Sequence, residues 1–161
     1  MLVSKKNLNY RNNVGIVIKN KDGKVLMCKR TERSVGEVEK WQFPQGGVDK
    51  NEDLTLAMYR ELKEETGITK AQVKRIASTK NWLYYETPKP IIREKILYHG
   101  QRQKWFLLEL IKDTDIAEFI TKKSEEFDDY KWINFAEVIA IVVDFKKTIY
   151  QQIQAEFASH F

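Results

Sequence analysis

Three glutamates lie within five residues of one short segment, and this crowding constrains the chain more than any other feature. Glu61 precedes Glu64 and Glu65 by three and four positions, so on a helix the three carboxylates share one surface. Two carboxylates about 4 Å apart repel each other by roughly 4 kcal/mol at an effective dielectric near 20. A bound divalent cation removes that repulsion, and oxygen ligands suit Mg²⁺, Mn²⁺ or Ca²⁺ rather than zinc. The alternative is a solvated acidic helix face stabilised by Arg60 and Lys63, and the glutamates alone leave both open.

The flanking residues predict a loop, a helix and a cap in fixed register. A helix is expected over about Glu52–Thr66, with Asn51 as its N-cap. Gly67 stands where a helix end needs a left-handed residue, and Ile68 follows where an apolar side chain packs back onto the helix. The pair Gly46-Gly47 lets the preceding backbone approach a ligand closely. The glutamates are therefore expected at the mouth of a glycine loop.

Residues 46–68 resemble the Nudix box, G-x5-E-x7-R-E-U-x-E-E-x-G-U, in which U is a bulky apolar residue. Every fixed position matches: Gly46, Glu52, Arg60, Glu61, Leu62, Glu64, Glu65, Gly67 and Ile68. So many specified positions are very improbable by chance, and the solvated-face alternative recedes. The resemblance implies metal-dependent hydrolysis of nucleoside diphosphates linked to another moiety. It also implies an α/β (α+β) fold of the Nudix type, an α/β/α sandwich with a mixed curved sheet between helices.

Segments outside the box are similar to the bacterial RNA pyrophosphohydrolase branch of this family, which also includes dinucleoside polyphosphate hydrolases. They are Tyr10–Val17, Trp41–Gly47, Ser78–Leu83, Gln103–Leu108, Glu126–Asp128, Phe145-Lys146 and Glu156–Ser159. The resemblance implies removal of pyrophosphate from the 5′-triphosphate end of RNA, which initiates mRNA decay. One departure is the ten-residue stretch TERSVGEVEK before Trp41, which is longer than expected for RNA-processing members and favours dinucleoside polyphosphates as the alternative substrate. A non-catalytic nucleotide- or RNA-binding regulator is a third reading, which the intact glutamates oppose.

The resemblance also implies a role for each matched site residue. The catalytic set is Glu64, Glu61, Glu65 and Arg60, in which Arg60 orients the glutamates and Glu64 is either a ligand or the general base. The expected metal ligands are Gly46 through its carbonyl, Glu61, Glu64, Glu65 and Glu126. The expected substrate-binding residues are Arg11, Arg30, Gln45, Lys104, Phe145 and Lys146. The cofactor is expected to be Mg²⁺, with Mn²⁺ as a substitute and more than one ion bound.

Two of these assignments, those of Glu126 and Phe145, have a structural alternative. Taken alone, the acidic run around Glu126 favours a surface turn, whereas the resemblance implies a further metal ligand or base that reaches in from a distant loop. Phe145 also opens an apolar stripe with Ile149, Ile153 and Phe157, so core packing competes with base stacking. Glu52 is expected to fix the loop onto the helix without touching metal.

Chain length and net charge limit the possible domain organisation and the possible partners. A chain of 161 residues predicts a single domain over 1–161, and the net charge of +5 suits polyanionic partners, namely 5′-triphosphorylated RNA or nucleoside polyphosphates. Residues 75–106 alone carry seven basic residues against two acidic ones, interleaved with aromatics, which suits single-stranded RNA or a solvated sheet edge. The lone Cys28, the N-terminus without an apolar core and the absence of a long apolar run predict a cytoplasmic protein without membrane contact. No obligate protein partner is evident.

The remaining pattern predicts these elements. Strands are expected at Val14–Ile18, Lys24–Cys28, Val73–Tyr85, Lys104–Ile111 and Tyr130–Ile133. Asp22-Gly23 predicts a hairpin turn between the first two, and Glu86–Pro90 is expected to be a loop because prolines interrupt strand pairing. Asn134 and Glu137 predict a capping box opening a helix over Phe135–Val142, and Asp144 is expected to cap the last helix.

Overall fold

The computed structural model describes residues 8–31 and 40–161, and these residues form a mixed sheet with helices on both faces. The sequence-predicted loop between Arg30 and Trp41 falls mostly outside them. Within the described ranges the strands are β1 (Tyr10–Lys19), β2 (Val25–Arg30), β3 (Trp41–Gln42), β4 (Gln45–Gly47), β5 (Val73–Ser78), β6 (Leu83–Arg93), β7 (Ile96–Leu110) and β8 (Phe127–Ile133). The α-helices are α1 (Leu54–Thr66), α2 (Ile116–Lys122) and α3 (Lys147–Phe157).

The centre of the sheet is a parallel pair. Strand β1 runs beside β7 in unbroken register from Tyr10 opposite Gly100 to Lys19 opposite Glu109. The other strand pairs are antiparallel, with β6 and β5 pairing successive halves of β7, and β8 pairing β2. The expectation of a mixed sheet is therefore confirmed.

Alternation along β1 separates two apolar cores, one on each face of the sheet. Val14, Ile16 and Ile18 face α1 and α2, where they pack with Ala57, Met58 and Leu62. The opposite face packs against α3, which buries Ile149, Ile153 and Phe157 in a core rich in aromatic rings. This layering of helix, sheet and helix agrees with the predicted sandwich.

The sheet opens between β1 and β2. The turn at Asn20–Lys24 joins these two strands into an antiparallel hairpin, in which Lys19 lies opposite Val25. Further along, β3 pairs with β2 while β4 pairs with β1, so residues 41–47 stand between the two strands. Since β4 also contacts α1, this split places the glycine loop against the helix that carries the glutamates.

The box helix differs from its prediction at its start and agrees at its end. Asp53, not Asn51, is the N-cap, and its carboxylate accepts hydrogen bonds from the backbone N–H groups of Thr55 and Leu56. Asn51 instead adopts a left-handed backbone with φ of 63° in the preceding turn. Gly67 ends the helix with φ of 74°, as predicted.

The proline segment does not end the strand, so the loop prediction for Glu86–Pro90 was wrong in part. Strand β6 continues through it, but the pairing jumps from Glu86 opposite Gly100 to Ile91 opposite Tyr98. The extra residues form a bulge, and both prolines stand in it, where no ladder hydrogen bond is required of them.

The C-terminal caps were also predicted wrongly. Phe135–Ala140 is a 3₁₀ helix whose N-cap, Asn134, makes no side-chain capping bond. Asp144 lies in a further 3₁₀ turn and forms an ion pair of 2.9 Å with Lys147 instead of capping α3. Short side-chain patterns could not distinguish these tight turns from α-helix. No helix within residues 8–31 and 40–161 is both long and apolar enough to cross a membrane.

Candidate active site

Arg60 joins the glycine loop to the glutamates of α1. Its guanidinium donates to both carboxylate oxygens of Glu52, at 2.7 and 2.8 Å, and to the Gly47 carbonyl at 2.9 Å. The same group donates to Glu61 at 2.7 Å and to Glu64 at 3.2 Å. These bonds raise the pKa of Arg60 further and lower that of Glu52 to about 2. Arg60 thus stays charged and fixes three carboxylates at once.

Glu52 has the position that a loop-fixing residue requires. Besides its paired bonds to Arg60, its carboxylate accepts a hydrogen bond of 3.1 Å from the backbone N–H of Asp49. The Glu52 side chain is largely buried, with 16% of its surface exposed. Its contacts therefore tie the turn before α1 to the middle of that helix.

Glu61 lies directly against Gly46. A Cβ placed on Gly46 would come within 2.0 Å of both the Glu61 carboxyl carbon and one of its oxygens, so only glycine fits this position. Glu61 is buried, with 8% of its surface exposed. Burial raises the pKa of Glu61 above its ordinary value, although Arg60 opposes the shift.

Glu65 is the most deeply buried glutamate of the three. Its carboxylate accepts a hydrogen bond of 2.9 Å from the Gln45 backbone N–H. Burial raises the pKa of Glu65 well above its ordinary value, and the charges of Glu126 and Glu61 add to the rise. A cation bound beside Glu65 would reverse this penalty, since opposite charge favours the ionised form. Glu64, by contrast, is exposed and contacts only Arg60 among the groups described above.

Glu126 approaches this cluster from the start of β8. It faces Arg30 with a nitrogen-to-oxygen distance of 3.6 Å, and its charge is felt by both Glu61 and Glu65. Glu126 is exposed in a bend, as an acidic surface turn requires, and its carboxylate also faces the cluster, so both interpretations of this residue remain predictions. The opening of the sheet between β1 and β2 lets the charge of Glu126 act on Glu65, which is 61 positions earlier in the chain.

Three predicted substrate residues meet on the β2 side of the opening. Arg30, Phe145 and Lys146 line one small pocket of about 50 Å³. Lys146 is buried and donates to the Gln42 side chain at 3.1 Å. Burial lowers the pKa of Lys146 to about 7, and Arg30 lowers it as well, while nearby carboxylates oppose the change. Phe145 is 41% exposed, so it stands outside the apolar stripe of α3.

Arg11 and Gln45 lie on the β1 side. Arg11 packs its guanidinium against Gly47, where a Cβ would meet it at 2.2 Å. The Gln45 side chain accepts a bond of 3.3 Å from Gln103, which is fully buried and also donates to Asn13 at 2.7 Å. This buried amide network holds Gln45 at the edge of the opening.

Lys104 is not brought to the opening. Neighbouring strand residues face opposite sides of a sheet, so Lys104 points away from Gln103. Its ammonium donates to the Lys80 carbonyl at 2.7 Å and lies 5.8 Å from the Trp82 ring centroid. The structure thus separates Lys104 from the other predicted substrate residues.

Tyr85 is a site residue that sequence reasoning missed. It bonds Gln45, feels the charges of Arg30 and Arg11, and has its pKa raised to about 12 by burial. Its ring centroid is 5.9 Å from that of Phe145. The aromatic run around Tyr85 was visible in the sequence, but the faces of its rings were not.

The donor set suits a hard divalent cation. Glu61 and Glu65 are buried carboxylates with raised pKa values, and the Gly46 backbone lies against one of them. Within residues 8–31 and 40–161, no three acidic, histidine or cysteine side chains stand close enough to enclose an ion as placed. Arg60 holds both Glu61 and Glu64 by hydrogen bonds. The residues present fit a divalent metal, which Glu61 and Glu65 would hold together with Glu64 or Glu126.

Comparison with known proteins agrees with this geometry. A family model described as "NUDIX domain" matches residues 9–154, and the chain belongs to that family. Curated relatives called RNA pyrophosphohydrolase include one from Actinobacillus pleuropneumoniae serotype 5b, 44% identical over 92% of this chain and 71% of that protein. Another, from Haemophilus influenzae strain PittEE, is 44% identical over 93% of this chain and 75% of that protein.

Solved structures share the fold. A C. elegans Ap4A hydrolase binary complex aligns with a TM-score of 0.66 at 24% identity, covering 92% of this chain and 98% of that one. A MutT protein from Methanosarcina mazei aligns with a TM-score of 0.63 at 21% identity, covering 93% and 96%. The family and its relatives indicate a pyrophosphohydrolase, and hydrolases of this family generally use divalent metal ions.

Proposed function

We propose that this protein is an RNA pyrophosphohydrolase, a single domain over 1–161 that removes pyrophosphate from the 5′-triphosphate end of RNA in the cytoplasm and so initiates mRNA decay. The observation that carries the proposal is the buried pair Glu61 and Glu65 at the split in the sheet, beside the cations Arg30 and Lys146. The curated relatives with about 44% identity are named for this activity, which supports the assignment. Hydrolysis of a triphosphate requires both features. Carboxylates bind the metal ions, and basic side chains bind the negatively charged phosphate oxygens.

Different residues of the site have different roles in the proposed reaction. Arg60 holds Glu61 and Glu64 in place through charge-assisted hydrogen bonds, which are the stronger kind. Arg11 and Arg30 stand on opposite sides of the opening and bind phosphate oxygens. Phe145 offers an exposed ring to a base, while Lys146 contacts phosphate. Glu64 is exposed to water and serves either as the general base or as a further metal ligand.

Metal would be held by Glu61, Glu65 and the Gly46 carbonyl, with Glu64 or Glu126 completing the oxygen set. When bound, Mg²⁺ or Mn²⁺ neutralises phosphate charge and supplies an activated water. More than one ion suits a site with four carboxylates. Arg30 balances the charge that the leaving pyrophosphate carries, and phosphate beside Lys146 favours the protonated form of its amine, whose pKa burial lowers to about 7.

A dinucleoside polyphosphate hydrolase is the second candidate. The long TERSVGEVEK stretch favours it, and the same metal and cation groups serve both substrates. Triphosphorylated RNA and diadenosine tetraphosphate should be mixed at equal concentration with Mg²⁺, and the products identified by chromatography. Faster release of pyrophosphate and monophosphorylated RNA supports the first proposal, whereas preferential cleavage of the dinucleotide supports the second.

The site itself is tested by Glu64→Gln and Glu65→Gln. Each variant should lower turnover by about 100-fold or more, because each loses a group that binds metal or moves a proton. Glu137→Gln is the matched control, since Glu137 is exposed and lies on the 3₁₀ helix that starts at Phe135. Circular dichroism should show the fold retained in all three. Wild-type turnover in either site variant would refute the assignment.

A further inference from the structure

The face of the sheet next to α1 carries a strip of cations and aromatic rings outside the opening. We call it the cation–aromatic strip and define it as Arg75, Trp82, Tyr84, Arg102 and Lys104. Arg102 lies opposite Tyr84 across the β6–β7 pair, so their side chains share this face. The strip contains much of the basic, aromatic segment that the sequence singled out and that the reaction does not use.

The strip is held together by cation–ring contacts. The guanidinium of Arg102 lies 4.6 Å from the Trp82 ring centroid, and the ammonium of Lys104 lies 5.8 Å from the same ring. Arg75 lies 5.0 Å from the ring of Phe106 on the same face. These contacts orient the cations without neutralising them.

The cations of the strip have no ion-pair partner among the described residues. Among the residues that the structure describes, no carboxylate lies within 4 Å of Arg75, Arg102 or Lys104. Tyr84 is 51% exposed and makes an edge contact with Tyr10 at 5.0 Å. Cations without acidic partners beside an exposed ring complement a single-stranded polyanion whose bases can stack.

The strip also adjoins the opening. Arg102 donates to the Asn12 side chain at 2.6 Å, and Asn12 follows Arg11 directly on β1. Neighbouring residues of a strand face opposite sides, so Arg11 serves the opening while Asn12 anchors the strip. Arg102 also lies opposite Asn12 in the β1–β7 register, so an RNA strand that continues past Arg11 has Arg102 as a neighbouring cation.

We propose that the cation–aromatic strip binds the single-stranded RNA that follows the processed 5′ end, a proposal that rests on the proposed function. The strip binds backbone phosphates through Arg75, Arg102 and Lys104, and it stacks a base on Tyr84. Longer RNA is then preferred over short substrates through KM. The occupant is RNA rather than a protein because the three charged members of the strip are all cations and its exposed ring offers a face for stacking.

Binding is measured by fluorescence anisotropy with a labelled, single-stranded 5′-hydroxyl RNA of about twelve nucleotides. This probe cannot be hydrolysed at its 5′ end, so the result does not depend on the proposed activity. The variant Arg75→Gln/Arg102→Gln should lower the slope of log affinity against log salt by about 1.4, since each lost phosphate contact removes about 0.7. At about 0.15 M salt this corresponds to roughly tenfold weaker binding.

Two further variants sharpen the measurement. Lys21→Gln/Lys24→Gln removes the same charge from the exposed β1–β2 turn and should leave the slope near that of the wild type. Tyr84→Leu should weaken binding at least about fivefold, because stacking of one base is worth about 1–3 kcal/mol. Thermal denaturation of each variant checks that the sheet remains folded.

Kinetics separate this proposal from the proposed function. For Arg75→Gln/Arg102→Gln, KM should rise about tenfold with triphosphorylated twelve-nucleotide RNA while kcat changes little. A triphosphorylated dinucleotide has a single internucleotide phosphate and cannot span two cations, so its KM should change much less. If no triphosphorylated RNA is hydrolysed by the wild type, the proposed function fails while the binding result stands.

The proposal is overturned if the strip variant binds 5′-hydroxyl RNA with the affinity and salt slope of the wild type. It is also overturned if Lys21→Gln/Lys24→Gln loses as much RNA affinity and salt slope as the strip variant. That result would show that binding depends on overall charge rather than on the strip. A concentration-dependent mass in sedimentation that the strip variant abolishes, with RNA affinity unchanged, would assign the surface to contacts between copies instead.

Discussion

Replacing Gly46 by alanine tests the site without removing any of its charged groups. The new Cβ would stand 1.9 Å from the Glu61 carboxyl carbon, whereas ordinary contacts begin near 3.4 Å. The carboxylate must therefore retreat by about 1.5 Å, or the backbone of β4 must move away from α1. Either response separates Glu61 from the carbonyl that is expected to share its metal.

The expected loss of activity in Gly46→Ala follows from that displacement of the Glu61 carboxylate. A misplacement of about 1 Å in a reacting constellation can cost roughly 100-fold in rate. Gly46→Ala should therefore lower kcat by about two orders of magnitude and raise the Mg²⁺ concentration needed for half-maximal rate. Stability should fall by about 1.5–3 kcal/mol if the bond between Arg60 and Glu61 breaks, which is the usual worth of a charged hydrogen bond.

Gly47→Ala is the matched comparison. Its Cβ meets the guanidinium end of Arg11 at 2.2 Å, and a flexible side-chain end can move aside. We expect Gly47→Ala to raise KM through Arg11 while kcat falls much less than in Gly46→Ala. Pyrophosphate release under Mg²⁺ titration measures both. A Gly46→Ala enzyme with wild-type kcat and metal requirement would refute the assignment of Glu61 as a ligand.

Three further predictions concern stability. Glu52→Gln should cost about 1–3 kcal/mol in urea unfolding at pH 7. Because Arg60 lowers the pKa of Glu52 to about 2, its stabilisation is full above the ordinary carboxyl pKa near 4.5 and is lost as pH falls from there through 2, so the variant and wild type should converge only near pH 2 and below. Tyr150→Phe removes the hydroxyl that accepts from the buried Phe43 N–H at 2.9 Å, and calorimetry should show a loss of about 1–3 kcal/mol. Gly67→Ala should lower the melting temperature, since its φ of 74° disfavours any Cβ; an unchanged value would contradict the left-handed cap.

The box could be predicted from sequence because its constraints are local. Helical spacing fixed Glu61 beside Glu64 and Glu65, and Gly67 ended the helix by its own backbone freedom. The N-cap was misplaced by two residues, since Asn51 and Asp53 both have capping side chains. The backbone conformation distinguishes them: Asn51 has a left-handed φ, which an N-cap residue does not adopt.

Contacts between distant segments could not be predicted in the same way. The separation of Lys104 from the opening depends on the register of β7 against β1, which sequence alternation does not fix. The pairing of Glu126 with Arg30 and the placing of Tyr85 beside Gln45 depend on where the sheet splits. Phe145 showed an apolar spacing that fitted α3, but a 3₁₀ turn before the helix directs it outward.

The parallel pairing of β1 with β7 has a consequence for how the chain acquires its fold. Each of its ten register pairs joins residues 90 positions apart, so β1 cannot pair with β7 until that intervening length of chain has been synthesised. Distant pairing of this kind slows folding and leaves apolar strands exposed to self-association in the meantime. Nascent β1, with its buried residues Val14, Ile16 and Ile18, therefore exposes apolar surface until β7 has been synthesised.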